Sequence, residues 1–502
     1  MSTTTLHPVP VFIGGEWHVP QTATTTPVYN PSIGEIIAET PMCGGDIVDQ
    51  AVQAAQKAFY DWSETPPVER ARVLFRYKML LEEHFEELAR SVSREHGKNI
   101  IEARGDVRRG VEVVEYACAV PELLKGEILP NIARGIDCEV VRYPHGVVVG
   151  ICPYNFPALV PMWMFPLAIA CGNTFILKPS EKVPLTGIRL IELLQQAGLP
   201  PGVLNIVHGG KECVDALLKH PMIKAISFVG SSPIAKYIYE TGIQHGKKVQ
   251  AAGGAKNYVF VLPDADFNNS VTGLVDSAFG CAGQRCMAGS TAVTIGKAHD
   301  QLVKPLSEAV RNIKVGPTDR DVPNNLGAVI SPQHLEKVKG LIATGEKEGA
   351  KVVVDGRGVK VAEAPKGFYL GPTIVDSVSP GMHIAREEVF GPVLNVMSFE
   401  DLDSAIEMAN QTPFGNGACI YTQSGKAARE FKHRIKAGMV GINVGVPAPM
   451  APFPFAGWDY SFFGELHMQG REGVMFYTRA KVTTTRWFRH GEGDIWHKED
   501  KK

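Results

Sequence analysis

The stretch GCAGQRCMAGS, from Gly280 to Ser290, sets Cys281, Arg285 and Cys286 among three glycines, with no histidine beside them. Glycines permit close backbone approach and unusual dihedrals, and an adjacent guanidinium lowers a cysteine's pKa, so Cys286 is a candidate nucleophile. A free cysteine also serves as a small buried hydrophobe, and the stretch alone leaves both roles open. Two further stretches could hold a nucleotide. SFVGSSPIAK reads as a strand, then Gly230, then Ser231 and Ser232 opening a helix with Pro233 early in it. Free N–H groups at such an end can face a phosphate, and an ordinary N-cap fits the same residues. In LKPSEKVP, Lys178 ends a strand and Glu181 follows in a Pro-containing turn. There a lysine and a carboxylate can hydrogen-bond ribose hydroxyls or stay solvated. The usual GxGxxG fingerprint is missing from the strand–helix turns.

These side chains need elements to position them. Between 146 and about 262 the apolar runs GVVVGI, TFILKP, VLNIVHG, AISFVG and KVQAAGG alternate with helical stretches such as LTGIRLIELLQQAG and SPIAKYIYETG. That alternation predicts βαβ units and a parallel sheet, with any ligand at the carboxyl ends of the strands. A second α/β region is expected from about 254 to 446, with strands in YVFVLPDAD, STAVTIG and GACIYT. ILPNIARGIDCEVVRY and FYTRAKVTTTRW read as alternating strands set apart from both, and such edges need a partner. Ahead of them, Pro66 and Pro67 open one helix that should stop at Gly97, with Leu74, Leu81, Phe85, Leu88 and Val92 on its packed face.

At 502 residues the chain is too long for one core. A formal charge of −2 gives no electrostatic case for nucleic acid or an anionic membrane. The nine cysteines are scattered without CxxC or Cys/His clusters, so no metal site and no disulfide framework is expected, and reduced thiols in the cytoplasm fit best. The start lacks the basic and apolar regions of a signal peptide. Residues 146–177 carry no charge and could span a bilayer by length. Pro153, Pro157, Pro161 and Pro166 interrupt them, and Asn155 and Asn173 would be unsatisfied in lipid. A strand, a loop, a buried helix and a second strand are expected instead. The tail HKEDKK reads as frayed.

CPYNFP, LKPSE, SFVGS, GGAKN, GQRCMA, EEVFGPV and GINVG occur in the order and spacing of the aldehyde dehydrogenase superfamily, which the chain resembles over nearly its whole length. Within it, the chain is most similar to the CoA-acylating methylmalonate-semialdehyde dehydrogenases. The resemblance implies an α/β fold with a Rossmann-like NAD-binding domain (1–126 and 145–253), a catalytic domain (254–446) and small oligomerisation strands (127–144 and 475–490), in a homotetramer or homodimer. It implies Cys286 as nucleophile and Asn155, with the Cys286 N–H, as oxyanion hole. Lys178 and Glu181 would hold the adenine ribose, Tyr154 and Ser231 would line the cofactor cleft, Glu388 would bind the nicotinamide ribose, and Phe390 would pack near the nicotinamide. Glu181 favours NAD by repelling a 2′-phosphate, an inference that its neighbour Lys182, also on the cofactor side, works against. Arg285 and Arg109 would bind a substrate carboxylate, with Arg108 a solvated neighbour. The family reaction loses that carboxylate as CO2 or bicarbonate, giving propionyl-CoA or acetyl-CoA.

One departure matters most. Hydrolytic members carry a glutamate general base four residues before the lysine of this element, where Ala252 stands here. Alanine cannot activate water. The thiol of CoA, ionised to a few per cent near pH 7, can accept the acyl group without a base. A hydrolytic enzyme recruiting Glu387 or a water chain is the alternative. An idle binding protein on this fold fits poorly with Cys286, Asn155, Lys178 and Glu388 all in place. The loop VPAPMAPFPFAGWDYSFFGE either shapes the substrate entrance or packs as a rigid connection.

Overall fold

Five of the apolar runs become parallel strands because their residues are buried on both faces, which leaves no polar alternation to keep. In the computed structural model, which describes residues 8–22, 24–318 and 325–488, they form the centre of an eight-stranded sheet. From one side to the other the parallel strands are Leu204–Ile206, Thr174–Lys178, Val147–Ile151, Ile223–Val229 and Lys248–Ala252. Antiparallel strands close both edges: Val11–Ile13 with Glu16–His18 on one side, Phe462–Phe463 on the other. The chain runs outward from Val147–Ile151 in one direction, then returns to build Ile223–Val229 on its other flank. This reversal is a topological switch point, where α/β sheets bind ligands. The register aligns the carboxyl ends: Ile151 lies opposite Lys178 and Phe228, and Val229 opposite Ala252.

A seven-stranded sheet follows, in the order Lys351–Val354, Thr373–Asp376, Val393–Phe399, Gly289–Ile295, Asn257–Val261, Gly417–Tyr421 and Met439–Ile442. All are parallel except the first pair. The three expected strands of this region are present. Three more parallel members, Thr373–Asp376, Val393–Phe399 and Met439–Ile442, carry no strand expectation from the sequence. The two isolated pieces join in one exposed antiparallel sheet, where Thr478–Arg486 pairs along the whole of Ile136–Pro144 and Glu127–Ala133 pairs on the other side. Positions 489 and 490, placed with these strands above, and the tail HKEDKK lie outside the described residues.

The helix expected from Pro66 to Gly97 is two helices, Pro67–Glu83 and Phe85–His96. His84 leaves helical geometry at φ −98°, ψ 19°, with its Nδ1 2.7 Å from the Glu87 carboxylate. The apolar stripe survives the break, for Leu74, Leu81, Leu88 and Val92 are all fully buried. Gly97 ends the second helix at φ 90°, as a left-handed C-cap should. The uncharged segment folds as expected, its helix Leu159–Ala170 buried from Val160 onward with Pro166 inside it. Among the described residues no helix is long and apolar enough to cross a membrane.

Candidate active site

Four loops leave the carboxyl edge of the first sheet: Cys152–Asn155, Pro179–Lys182, Gly230–Ser232 and Gly253–Lys256. Against them the second sheet turns the amino ends of its strands. Cys286 precedes Gly289–Ile295, and Glu388 with Phe390 precedes Val393–Phe399. Three contacts sew the edges together. The Asn155 side-chain amide donates to the Gln284 carbonyl at 3.0 Å. The Tyr154 and Phe390 rings meet edge to face at 6.0 Å. The Ala255 N–H donates to a Glu388 carboxylate oxygen at 3.0 Å.

The loop that leads to Cys286 is unusual in its backbone. Cys281 and Ala282 take φ of 53° and 52°, the left-handed region that side chains avoid, just before Gly283 at 69°. The Cys281 N–H donates to a Glu102 carboxylate oxygen at 2.6 Å, which pins the turn to the helix Ile100–Cys118. Beyond it, the Cys286 carbonyl accepts from both the Asn257 and Asn416 amides, at 2.8 and 3.0 Å. Cys286 is half-buried against the cluster that holds Ala252 and Met287, and lines a cleft with Arg285, Glu388 and Phe390.

Burial pushes the Cys286 thiol up to about 12, and the Glu388 carboxylate adds to the rise. The expected lowering by Arg285 is present but is the weakest of the opposing influences. Geometry explains this. The guanidinium is turned to Cys281, whose Sγ accepts from Nε at 3.2 Å, and to Asp276 and Glu102, with Nη2 3.5 Å from the latter's carboxylate. Arg285 therefore holds the loop more than it ionises the thiol. Burial likewise raises Glu388 to about 7 and depresses Lys256 to about 8, whose Nζ donates to the carbonyls of Ile384 and Glu387. The Glu387 side chain is exposed.

On the nucleotide side, Lys178 Nζ lies 3.5 Å from the Glu181 carboxylate and donates to the Pro179 carbonyl. Lys182 Nζ stands 5.3 Å over the Tyr154 ring. Ser231 precedes the helix Ser232–Gln244 in an extended conformation, and its side chain makes no capping bond. The exposed hydroxyl is thus not spent on the N-cap role that its position allows. The Ser232 hydroxyl does cross-link, donating to the Tyr460 carbonyl at 2.6 Å and accepting from the Gly254 N–H at 2.8 Å.

Arg109 lines a cleft with Leu159, Trp163, Ala448 and Phe455. Its Nη1 donates to Glu112 at 3.0 Å and sits 2.6 Å from Met450 Sδ. The proline-rich loop thus forms a wall of this cleft, with the Trp163 and Phe455 rings 4.7 Å apart. Arg108 points elsewhere, paired through both nitrogens with Glu82 and stacked on Phe85. Sequence reasoning passed over Lys98, Glu102, Asp106 and Asn416. The helix pattern marks the first three as polar positions, and nothing in it signals that Lys98 and Asp106 are buried.

Two largely parallel sheets thus meet, strand ends to strand ends, over a half-buried cysteine, the arrangement that the sequence resemblance implies for an aldehyde-oxidising enzyme. Comparison with known proteins agrees. The aldehyde dehydrogenase family model matches residues 17–483. A malonate-semialdehyde dehydrogenase of Halalkalibacterium halodurans is 53% identical over 95% of this chain and 98% of its own. The crystal structure of methylmalonate-semialdehyde dehydrogenase from Oceanimonas doudoroffii is 48% identical and superposes with a TM-score of 0.95, covering 97% of this chain and 99% of that one. A Sinorhizobium meliloti 1021 protein complexed with NAD is 41% identical with the same TM-score, covering 99% of this chain and all of the other. The chain belongs to the aldehyde dehydrogenase family and has its fold; it is an oxidoreductase that acts on aldehydes.

Proposed function

We propose that this enzyme oxidises methylmalonate or malonate semialdehyde with NAD and CoA, releasing CO2 or bicarbonate and propionyl-CoA or acetyl-CoA. The names of the relatives support the substrate class. The observation that carries the CoA step is Ala252, buried at the end of its strand in the same apolar cluster against which Cys286 packs. No carboxylate stands there to activate water.

Cys286 gives its thiol proton to water as Sγ adds to the aldehyde carbon. Charge then develops on the aldehyde oxygen, facing the Cys286 N–H and the Asn155 amide, which gives one of its two N–H groups to Gln284 and keeps the other. Bound NAD supplies the hydride acceptor that turns this adduct into a thioester. The residues present fit it: the uncapping Ser231 at the helix entrance, the Tyr154–Phe390 pair, the Glu388 carboxyl for a ribose, and Lys178, Glu181 and Lys182 for the other ribose. The Glu181 carboxylate favours NAD over its 2′-phosphorylated form.

Arg109 binds the substrate carboxylate, with Arg285 on the Cys286 side, where the substrate competes with Glu102. From the thioester, the carboxylate leaves as CO2 while its bonding pair enters the thioester carbonyl as an enolate, which a proton then quenches. The CoA thiolate attacks the thioester carbon and expels Cys286 Sγ. Residues 1–126 and 145–253 act as the NAD-binding domain, 254–446 as the catalytic domain, and 127–144 with 475–490 as the oligomerisation strands of a cytoplasmic homotetramer or homodimer.

Mass spectrometry of the protein mixed with semialdehyde and NAD tests this. A thioester should persist on Cys286 and discharge when CoA is added. An adduct that decays equally fast without CoA overturns the reading.

A further inference from the structure

Beneath the Asn155 turn lies a charge pair that the reaction above does not use. Lys98 Nζ donates to the Asn155 backbone carbonyl at 2.7 Å and to an Asp106 carboxylate oxygen at 3.0 Å. Neither side chain has any exposed surface. The other Asp106 oxygen accepts the Leu159 N–H at 2.7 Å. Lys98 Nζ also stands 4.2 Å over the Phe156 ring. The pair therefore grips the segment Asn155–Leu159 at both ends and in the middle.

A buried ion pair is a poor stabiliser, since desolvating two charges offsets most of their attraction. Apolar residues would fill this space at least as well. What the pair gives that they could not is a donor aimed at one carbonyl, that of Asn155. Its two ends also come from separate elements: Lys98 follows the left-handed Gly97, and Asp106 sits in the helix Ile100–Cys118. That helix also holds the nucleophile loop, through Glu102 and the Cys281 N–H. One rigid body thus grips both halves of the site. Burial raises the Asp106 carboxyl, while the Lys98 ammonium and the Leu159 N–H pull it back down.

We propose that Lys98 and Asp106 are positioning residues that fix the Asn155 amide against the nucleophile loop and so set the rate of thiohemiacetal formation. This rests on the proposed role of Asn155, and the test separates the two. Two double variants carry the same charge: Lys98→Gln/Asp106→Asn keeps a donor for the Asn155 carbonyl, and Lys98→Met/Asp106→Asn does not. The NADH burst with semialdehyde and NAD should stay within about fivefold of the parent in the first and fall about 10²-fold in the second, the size of a 1 Å misplacement. Iodoacetamide alkylation of Cys286 and the KM for NAD should match in both, because neither depends on Asn155. Equal bursts in the two variants would overturn the proposal, and so would a loss in the second accompanied by slower alkylation. If either double variant fails to fold, Lys98→Arg alone serves: it keeps the charge and the Asp106 pairing, but its longer fork displaces the Asn155 carbonyl, so a lowered burst at unchanged alkylation supports the proposal and a parent burst counts against it. Asn155→Ala is the control. If it keeps the parent burst, the role of Asn155 itself is wrong.

Discussion

Cys286 and Glu388 share one cleft, and the Glu388 carboxylate makes the thiol harder to ionise. The Glu388 carboxyl is raised to about 7, first by burial, with the Ala255 N–H and Lys256 opposing. If its carboxylate form accepts the ribose hydroxyls, only the ionised enzyme binds NAD well. NAD affinity should then rise by up to tenfold per pH unit toward pH 7 and level off above it. Isothermal titration between pH 5.5 and 8.5 would show this, and Glu388→Gln should flatten the curve. A flat curve in the parent would exclude the ribose role. At this scale the motifs made Cys286, Asn155 and Glu388 legible. The direction of Arg285 was not, because sequence neighbours need not face the same way and adjacency to Cys286 says nothing of the guanidinium's partners.

Among the elements, the helix Ile100–Cys118 matters most. Asn99 and Glu102 form a reciprocal capping box, and the other Glu102 oxygen holds Cys281. Capping and the hold on the Cys281 turn thus meet in one side chain. Asn99→Ala should lower stability by about 1 kcal/mol, seen as an earlier thermal transition, and should also slow the NADH burst, because the first turn that it loosens carries Glu102 and its hold on Cys281. A stability loss with an unchanged burst would show that Glu102 only caps. The parallel strands of the first sheet were readable because apolar runs alternate with amphipathic helices. Thr373–Asp376 and Val393–Phe399 escaped because no well-patterned helix lies between them, only the four-residue His383–Arg386. The break at His84 escaped because the apolar stripe runs through it unchanged.

The whole molecule carries an exposed three-stranded sheet whose side chains Ile128, Leu129 and Val482 are 64%, 57% and 69% exposed. Its outer strand Thr478–Arg486 leaves one edge open among the described residues. Surface of this kind marks an interface. Light scattering should therefore find the parent as an oligomer and Ile128→Lys/Val482→Lys as a monomer. A monomeric parent would remove the oligomerisation role. The sequence pattern showed these strands as separate pieces; that they share one sheet depends on a pairing more than 300 residues apart.

In the proposed reaction a thiol, not water, clears Cys286, because Ala252 stands where a base is needed. NADH formation by the purified enzyme with malonate semialdehyde, followed with and without CoA, tests it most directly. Without CoA there should be one burst, at most one NADH per Cys286, and no further turnover. With CoA, NADH should form steadily along with acetyl-CoA. Steady turnover to a free acid without CoA would contradict it.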